Sequence, residues 1–275
     1  MEKINKLKEL LSFYNLDGYI IPKNDEFFGE YIPENKDRLK FISNFSGSYG
    51  FAIILKGKNC LFVDGRYTLQ AQIQSGKFFN IFTLPNKFPA NIVKKKKFKI
   101  GFDPKLHTKK NLKLLFGNTN CKLIAIKQNL VDKLWNIKND QKFNRLYVLP
   151  KKAVGQSYKV KIKNLIKTLK KKKIDLQFVS SSENIAWLLN IRGKDSEYTP
   201  IPNCYLSIGI DKKIQLFCDL KKIDTNFKKR FEKIDIIDIK NISLFLSKIR
   251  NKKILIDAST CSIFFENILK ENNRI

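Results

Sequence analysis

The sequence predicts an α/β fold built from two tandem copies of one domain, each a mixed sheet flanked by helices. Three observations carry this. Short apolar runs alternate with helical patterns along the chain, anchor residues recur in the same order, and a proline- and glycine-bearing stretch, Val148 to Gln156, separates the copies. The expected domains are residues 1–150 and 151–275.

The chain opens with a helix, since Ile4, Leu7, Leu10 and Leu11 recur at helical spacing. Asp17 and Gly18 break it, and Gly18 to Ile21 reads as a buried strand. After a loop, a short helix over Arg38 to Ile42 leads to strands at Phe51 to Leu55 and Cys60 to Val63, joined as a hairpin by Lys-Gly-Lys. A helix from about Arg66 to Gln74 follows, then strands near Ile81 and at Phe98 to Phe102. A helix at about Lys109 to Phe116 and a strand at Lys122 to Ile126 complete the first copy.

The second copy repeats the order. A helix from about Ser157 to Lys172 precedes Ile174 to Val179, and Asp175 answers Asp17 at an offset of 158. Asn190 and Gly193 answer Asn44 and Gly47 after a shorter loop. Asp219 answers Asp64 at an offset of 155, and Asp257 answers Asp103 at 154. The counterpart of Lys122 to Ile126 would fall just past residue 275, so the second domain is expected to lack its last strand and the chain to be a fragment.

Composition narrows the function classes. At 275 residues and 43% hydrophobic the chain can bury two cores. No apolar run approaches the roughly 18 to 20 residues of a membrane span, and the amphipathic start is not a signal peptide, so a cytoplasmic location without membrane contact is expected. Five scattered cysteines, Cys60, Cys121, Cys204, Cys218 and Cys261, form no C-x-x-C pair and read as buried thiols in a reducing compartment.

The net charge of +29 raises nucleic acid as a partner. The composition argues against it: 47 of the cations are lysines and seven are arginines, beside abundant Ile and Asn, which is the coding drift of an AT-rich genome. The runs Lys94 to Lys97 and Lys170 to Lys173 read as solvated element ends.

Catalytic clusters are missing. The single histidine, His107, lies at a turn before a helix and is expected to be exposed or capping. Asp235 and Asp238, three apart in a strand, point to opposite faces and share no metal or proton. Ser46-Gly-Ser-Tyr-Gly50 could suggest a phosphate loop, but a strand rather than a helix follows, so close packing is the expected role of its glycines.

Arg66 stands apart because it follows Gly65 at a predicted helix start, where the macrodipole disfavours a cation. The second copy has Leu220-Lys221 there, so the fold needs the preceding Asp but not Gly-Arg. A guanidinium fork suits a peptide carbonyl or carboxylate. The structural alternative is a surface ion pair with Asp64 or Asp25.

Taken together, Ser43 to Gly50 leading to Val63-Asp-Gly-Arg-Tyr67, Gly101-Phe-Asp-Pro104, Gln128 to Trp135, and Glu183 to Gly193 running on to Tyr198-Thr-Pro200 resemble the Xaa-Pro aminopeptidases of creatinase and prolidase type, in their long three-domain form. The resemblance implies two creatinase-type N-terminal domains, without the C-terminal pita-bread domain that holds two divalent metals, usually manganese, in this metallopeptidase family. It implies a substrate-binding role for Arg66, with no catalytic or metal-binding residue and no cofactor in this chain. The loop from Ile191 to Pro200 looks like the segment bordering the active-site mouth, and Tyr198 stands where some relatives carry histidine. The family further implies a homodimer, and a peptide substrate with proline in second position.

Two functions compete on this basis. One is the non-catalytic N-terminal part of an Xaa-Pro aminopeptidase, a hydrolase, contributing substrate gating and oligomer contacts. The other is a stand-alone peptide- or protein-binding module derived from that family.

Overall fold

The computed structural model describes residues 1–93, 97–136 and 144–275; Lys94 to Lys96 of the first lysine run lie outside them. The chain divides into two compact units, Met1–Glu26 with Ile32–Asp140, and Phe27–Tyr31 with Gln141–Ile275.

The first unit runs α1 (Glu2–Phe13), β1 (Gly18–Pro22), α2 (Arg38–Ser43), β2 (Gly50–Leu55), β3 (Asn59–Asp64), α3 (Thr68–Ser75), β4 (Asn80–Leu84), α4 (Pro89–Val93), β5 (Lys99–Phe102), α5 (Lys109–Phe116) and β6 (Lys122–Ala125). Its sheet has the order β4-β3-β2-β1-β5-β6. β1, β2 and β3 pair antiparallel, whereas β4, β5 and β6 join in parallel, so the sheet is mixed.

Alternation along the strands decides what covers each face. Tyr19, Ile21, Ala52, Ile54, Leu61 and Val63 pack with Leu7 and Leu11 of α1, Leu39 and Ile42 of α2 and Ala71 of α3. The residues of opposite parity, including Ile20, Ile53 and Phe62, are equally buried, so both faces are covered.

The second unit runs β7 (Tyr147–Val148), α6 (Tyr158–Lys171), β8 (Leu176–Val179), α7 (Ser182–Leu189), β9 (Ile191–Arg192), β10 (Tyr205–Gly209), β11 (Ile214–Cys218), α8 (Thr225–Arg230), β12 (Asp235–Asp238), α9 (Ile242–Ser247), β13 (Ile254–Leu255) and α10 (Ile263–Lys270). Its main sheet, β12-β11-β10-β8-β13, reproduces the first sheet strand for strand up to β5. One face, with Leu206, Ile208, Leu216 and Cys218, packs on α6, α7 and α8; the other, with Phe178, Tyr205 and Phe217, packs on α9 and α10. Phe27 stacks on Tyr205 at 5.1 Å and so belongs to this second core.

The repeat extends to single hydrogen bonds. Asp17 accepts from the Lys99 amide at 2.8 Å and Asp175 from the Lys253 amide at 2.8 Å, each tying the start of one parallel strand to the next. Asn44 and Asn190 both end a helix in the left-handed conformation, with φ of 64° and 57°. Asp64 and Asp219 accept the amide two residues on, and so do Asp103 and Asp257. Where β6 starts in the first sheet, the second has a parallel bridge between Lys253 and Arg274.

Candidate functional site

Arg66 stands at the end of β3, where a short 3₁₀ turn, Gly65–Tyr67, precedes α3. The predicted helix is therefore split, and α3 proper begins at Thr68. Asp64 caps the turn: its Oδ1 accepts the Arg66 amide at 3.0 Å and the Arg66 Nε at 2.8 Å. Of the two expected ion-pair partners, Asp64 is thus the one engaged, offsetting the unfavourable placement of a cation before a helix. The side-chain bond to Arg66 holds the Asp64 carboxyl below its ordinary range and raises the guanidinium in turn.

Arg66 is held but not consumed. Its side chain is 75% exposed, and among the described residues Nη1 and Nη2 have no hydrogen-bond partner. The guanidinium lies 5.6 Å from the centre of the Tyr67 ring. That ring is fixed by a 2.7 Å hydrogen bond between its hydroxyl and Ser48 Oγ and by edge contact with buried Phe45. An anchored Nε and a free pair of terminal nitrogens form a fork that a peptide carbonyl or carboxylate could accept.

The Ser46 to Gly50 loop supports this arrangement from behind. Gln70 and Gln74 of α3 both donate to Ser46 Oγ at 2.9 Å, and Gln74 accepts the Ser46 amide. A Cβ on Gly50 would lie 2.7 Å from the Phe62 carbonyl oxygen, so this glycine lets β2 approach β3. The strand that follows leaves no helix N-terminus for a phosphate.

The other expected site elements fall into place separately. In the Ile191 to Pro200 loop, Arg192 donates to the carbonyls of Ala186 and Ile191, while Asp195 accepts from Lys222 and from the Asn203 amide. Tyr198 is exposed and packs on Tyr31 at 5.0 Å. Asp235 accepts from Gln215 and Asp238 caps the Lys240 amide, so the two carboxylates do separate work on one strand.

His107 corrects the sequence expectation of an exposed or capping residue. It is 1% exposed, set edge-on to Phe102, with Nδ1 3.2 Å from Asn111 Oδ1; Thr108 is the cap. Burial pulls its pKa down to about 4. Four cysteines are buried and Cys121 is half-buried; burial pushes the Cys60 thiol up to about 11 and Cys218 up to about 12. Among the described residues no three His, Cys, Asp or Glu side chains gather as a metal ligand set, and no helix is long and apolar enough to cross a membrane.

Two family models, each described as a creatinase/prolidase N-terminal domain, match residues 3–134 and 137–275 in succession. The chain belongs to the creatinase/prolidase N-terminal family. Its sequence is 31% identical over 298 residues to a probable Xaa-Pro aminopeptidase P of Laccaria bicolor and 30% identical over 304 residues to Xaa-Pro aminopeptidase 1 of Dictyostelium discoideum. Each comparison covers 100% of this chain but 45% and 48% of the relative. An X-prolyl aminopeptidase from Caenorhabditis elegans, described as a cytosolic enzyme with a di-nuclear active site, matches with a TM-score of 0.89 and 26% identity, over 99% of this chain and 49% of its own. The chain thus spans about half the length of the relatives it matches. Two creatinase/prolidase N-terminal domains in succession account for residues 3–134 and 137–275.

Within the first creatinase/prolidase domain, Gly101–Pro104 and Gln128–Trp135 act as clamps. Asn129 donates to Asp103 at 2.9 Å, joining Gln128–Trp135 to Gly101–Pro104. Asp132 grips Arg38 through Nε at 2.7 Å and Nη2 at 2.9 Å, and Glu26 takes Nη2 at 2.8 Å. Trp135 stacks on Phe41 at 4.8 Å. Arg38 is 2% exposed, and sequence reading gave it no role because its partner lies 94 residues away. In the second domain Lys161 is buried likewise, donating to the Trp187 carbonyl and Asn190 Oδ1 at the end of α7. Desolvation, and then Arg192, pull its pKa down.

Proposed function

We propose that this chain is the non-catalytic N-terminal part of an Xaa-Pro aminopeptidase, in which Arg66 binds the peptide substrate. The carrying observation is the Arg66 fork, anchored by Asp64 through Nε with its terminal nitrogens free. In this reading the bond before a second-position proline is cut in a domain outside these 275 residues. That domain would hold two divalent metals, of which manganese is the expected species, and they would activate the attacking water. The description of the Caenorhabditis elegans relative as a cytosolic enzyme with a di-nuclear site supports both that and a cytoplasmic setting. A homodimer and a gating role for the Ile191 to Pro200 loop complete the proposal.

Two measurements test it. The purified chain should not hydrolyse Arg-Pro-Pro with added Mn²⁺, and measurable turnover that survives repurification would place catalysis here. In an NMR titration with the same peptide, the Arg66 Nε resonance should shift and saturate. An unmoved resonance at millimolar peptide would remove Arg66 from substrate binding.

A further inference from the structure

The second unit carries an unpaired strand edge beside a hollow with a cationic rim. β7 pairs with β9 in antiparallel register, Tyr147 opposite Arg192 and Val148 opposite Ile191, and the Leu149 amide donates to the Asn190 carbonyl. Hydrogen-bonded pairs alternate in such a ladder, so the Val148 N–H and C=O point away from β9. On that outer side the Leu146 amide donates to the Lys222 carbonyl, whereas the Val148 groups have no partner among the described residues.

Two adjoining hollows of about 440 and 370 Å³ border β7, and Val148, Leu149, Lys151 and Arg230 line both. Phe227 and Tyr158, both buried, supply apolar wall. The cations are Lys151, Lys159 and Arg230, all exposed. None of the three has an ion-pair partner among the described residues. Asp224, the carboxylate in the wall, is committed to capping α8 through the Phe227 amide at 2.7 Å.

We propose that this groove binds an extended acidic peptide segment, which adds to the outer edge of β7 as a strand. Main-chain bonds to Val148 would supply direction, and the three cations would select carboxylates over ammonium groups. The apolar wall takes every second side chain, because alternate residues of an added strand face the same way.

The probe is a fluorescein-labelled hexapeptide of alternating glutamate and valine, read by fluorescence anisotropy against the 275-residue chain. Saturable binding is expected for it and none for the lysine–valine counterpart. The double variant Lys151→Glu/Arg230→Glu should weaken binding about tenfold. Lys163→Glu/Lys167→Glu, equal in charge change and exposed on α6, should weaken it less than about threefold. Methylating alternate peptide nitrogens on the acidic probe should also abolish binding. Equal weakening by the two double variants would reduce the effect to the net charge of +29 and overturn the proposal. Full affinity of the methylated peptide would overturn strand addition, and absence of saturable binding would overturn the groove.

Discussion

Lowering the pH from 7 to 5 is expected to destabilise the first unit through His107. This is the single histidine of the chain, so no other imidazole confuses the measurement. Its ring is enclosed by Phe102 and Asn111, Nε2 has no partner among the described residues, and burial pulls the pKa down to about 4. In the unfolded chain the pKa is about 6.5. Between those values the unfolded state binds more protons than the folded one, so stability falls as pH falls. At about 1.36 kcal/mol per pKa unit, the loss at pH 5 is about 2 kcal/mol, and it stops growing below about pH 4 where both states are charged. The assay is urea unfolding of the wild type and His107→Gln at both pH values. Carboxylates titrate in both proteins and cancel, so the wild type should lose about 2 kcal/mol more than the variant. Equal losses, or an imidazole NMR titration of the folded protein with a midpoint near 6.5, would refute the reasoning.

Other perturbations test other parts of the fold. Asp132→Ala should cost the first unit about 3 kcal/mol, the low end for a broken buried pair because Glu26 still holds Arg38; thermal unfolding should fall by several degrees, and an unchanged midpoint would contradict a clamp. Gly50→Ala sets a Cβ against the Phe62 carbonyl at 2.7 Å and should cost about 1 to 3 kcal/mol, whereas Gly57→Ala meets nothing within 4 Å and should show no steric cost. Asp219→Ala removes the cap on the Lys221 amide and should cost about 1 kcal/mol, read as a shifted denaturation midpoint of the second unit. Arg66→Ala should leave the melting temperature unchanged, because the 75% exposed side chain makes only a surface ion pair with Asp64, and a destabilised variant would point to a structural role.

The strands and the duplication were legible because burial on both faces leaves continuous apolar runs, and because the strand-end aspartates recur in order. Asp17 and Asp175 recur as anchors in the sequence alone, and each accepts the amide of a distant lysine. Arg66 was legible through contrast with Leu220 and Lys221 in the other copy. What escaped depends on contacts between distant residues. Arg38 reads as the polar start of a helix until Asp132 is brought beside it. His107 sits in a polar segment, but the turn at Asp103 carries it inward, and Leu106 is buried beside it. β7 and β9 are two residues each, too short for any periodicity to register. Phe27 belongs to the core of the second unit although it lies within the sequence of the first.

The aspartate splints at Asp17–Lys99 and Asp175–Lys253 also set an order of assembly. Each closes a parallel seam between residues 82 and 78 positions apart, whereas the hairpin of β2 and β3 joins neighbours in sequence. Loop closure makes such distant pairings late. On the ribosome, β1 must therefore wait with one edge open until Lys99 has emerged, and β8 until Lys253 has. In each half, the chain's own synthesis holds back the strand that closes this seam.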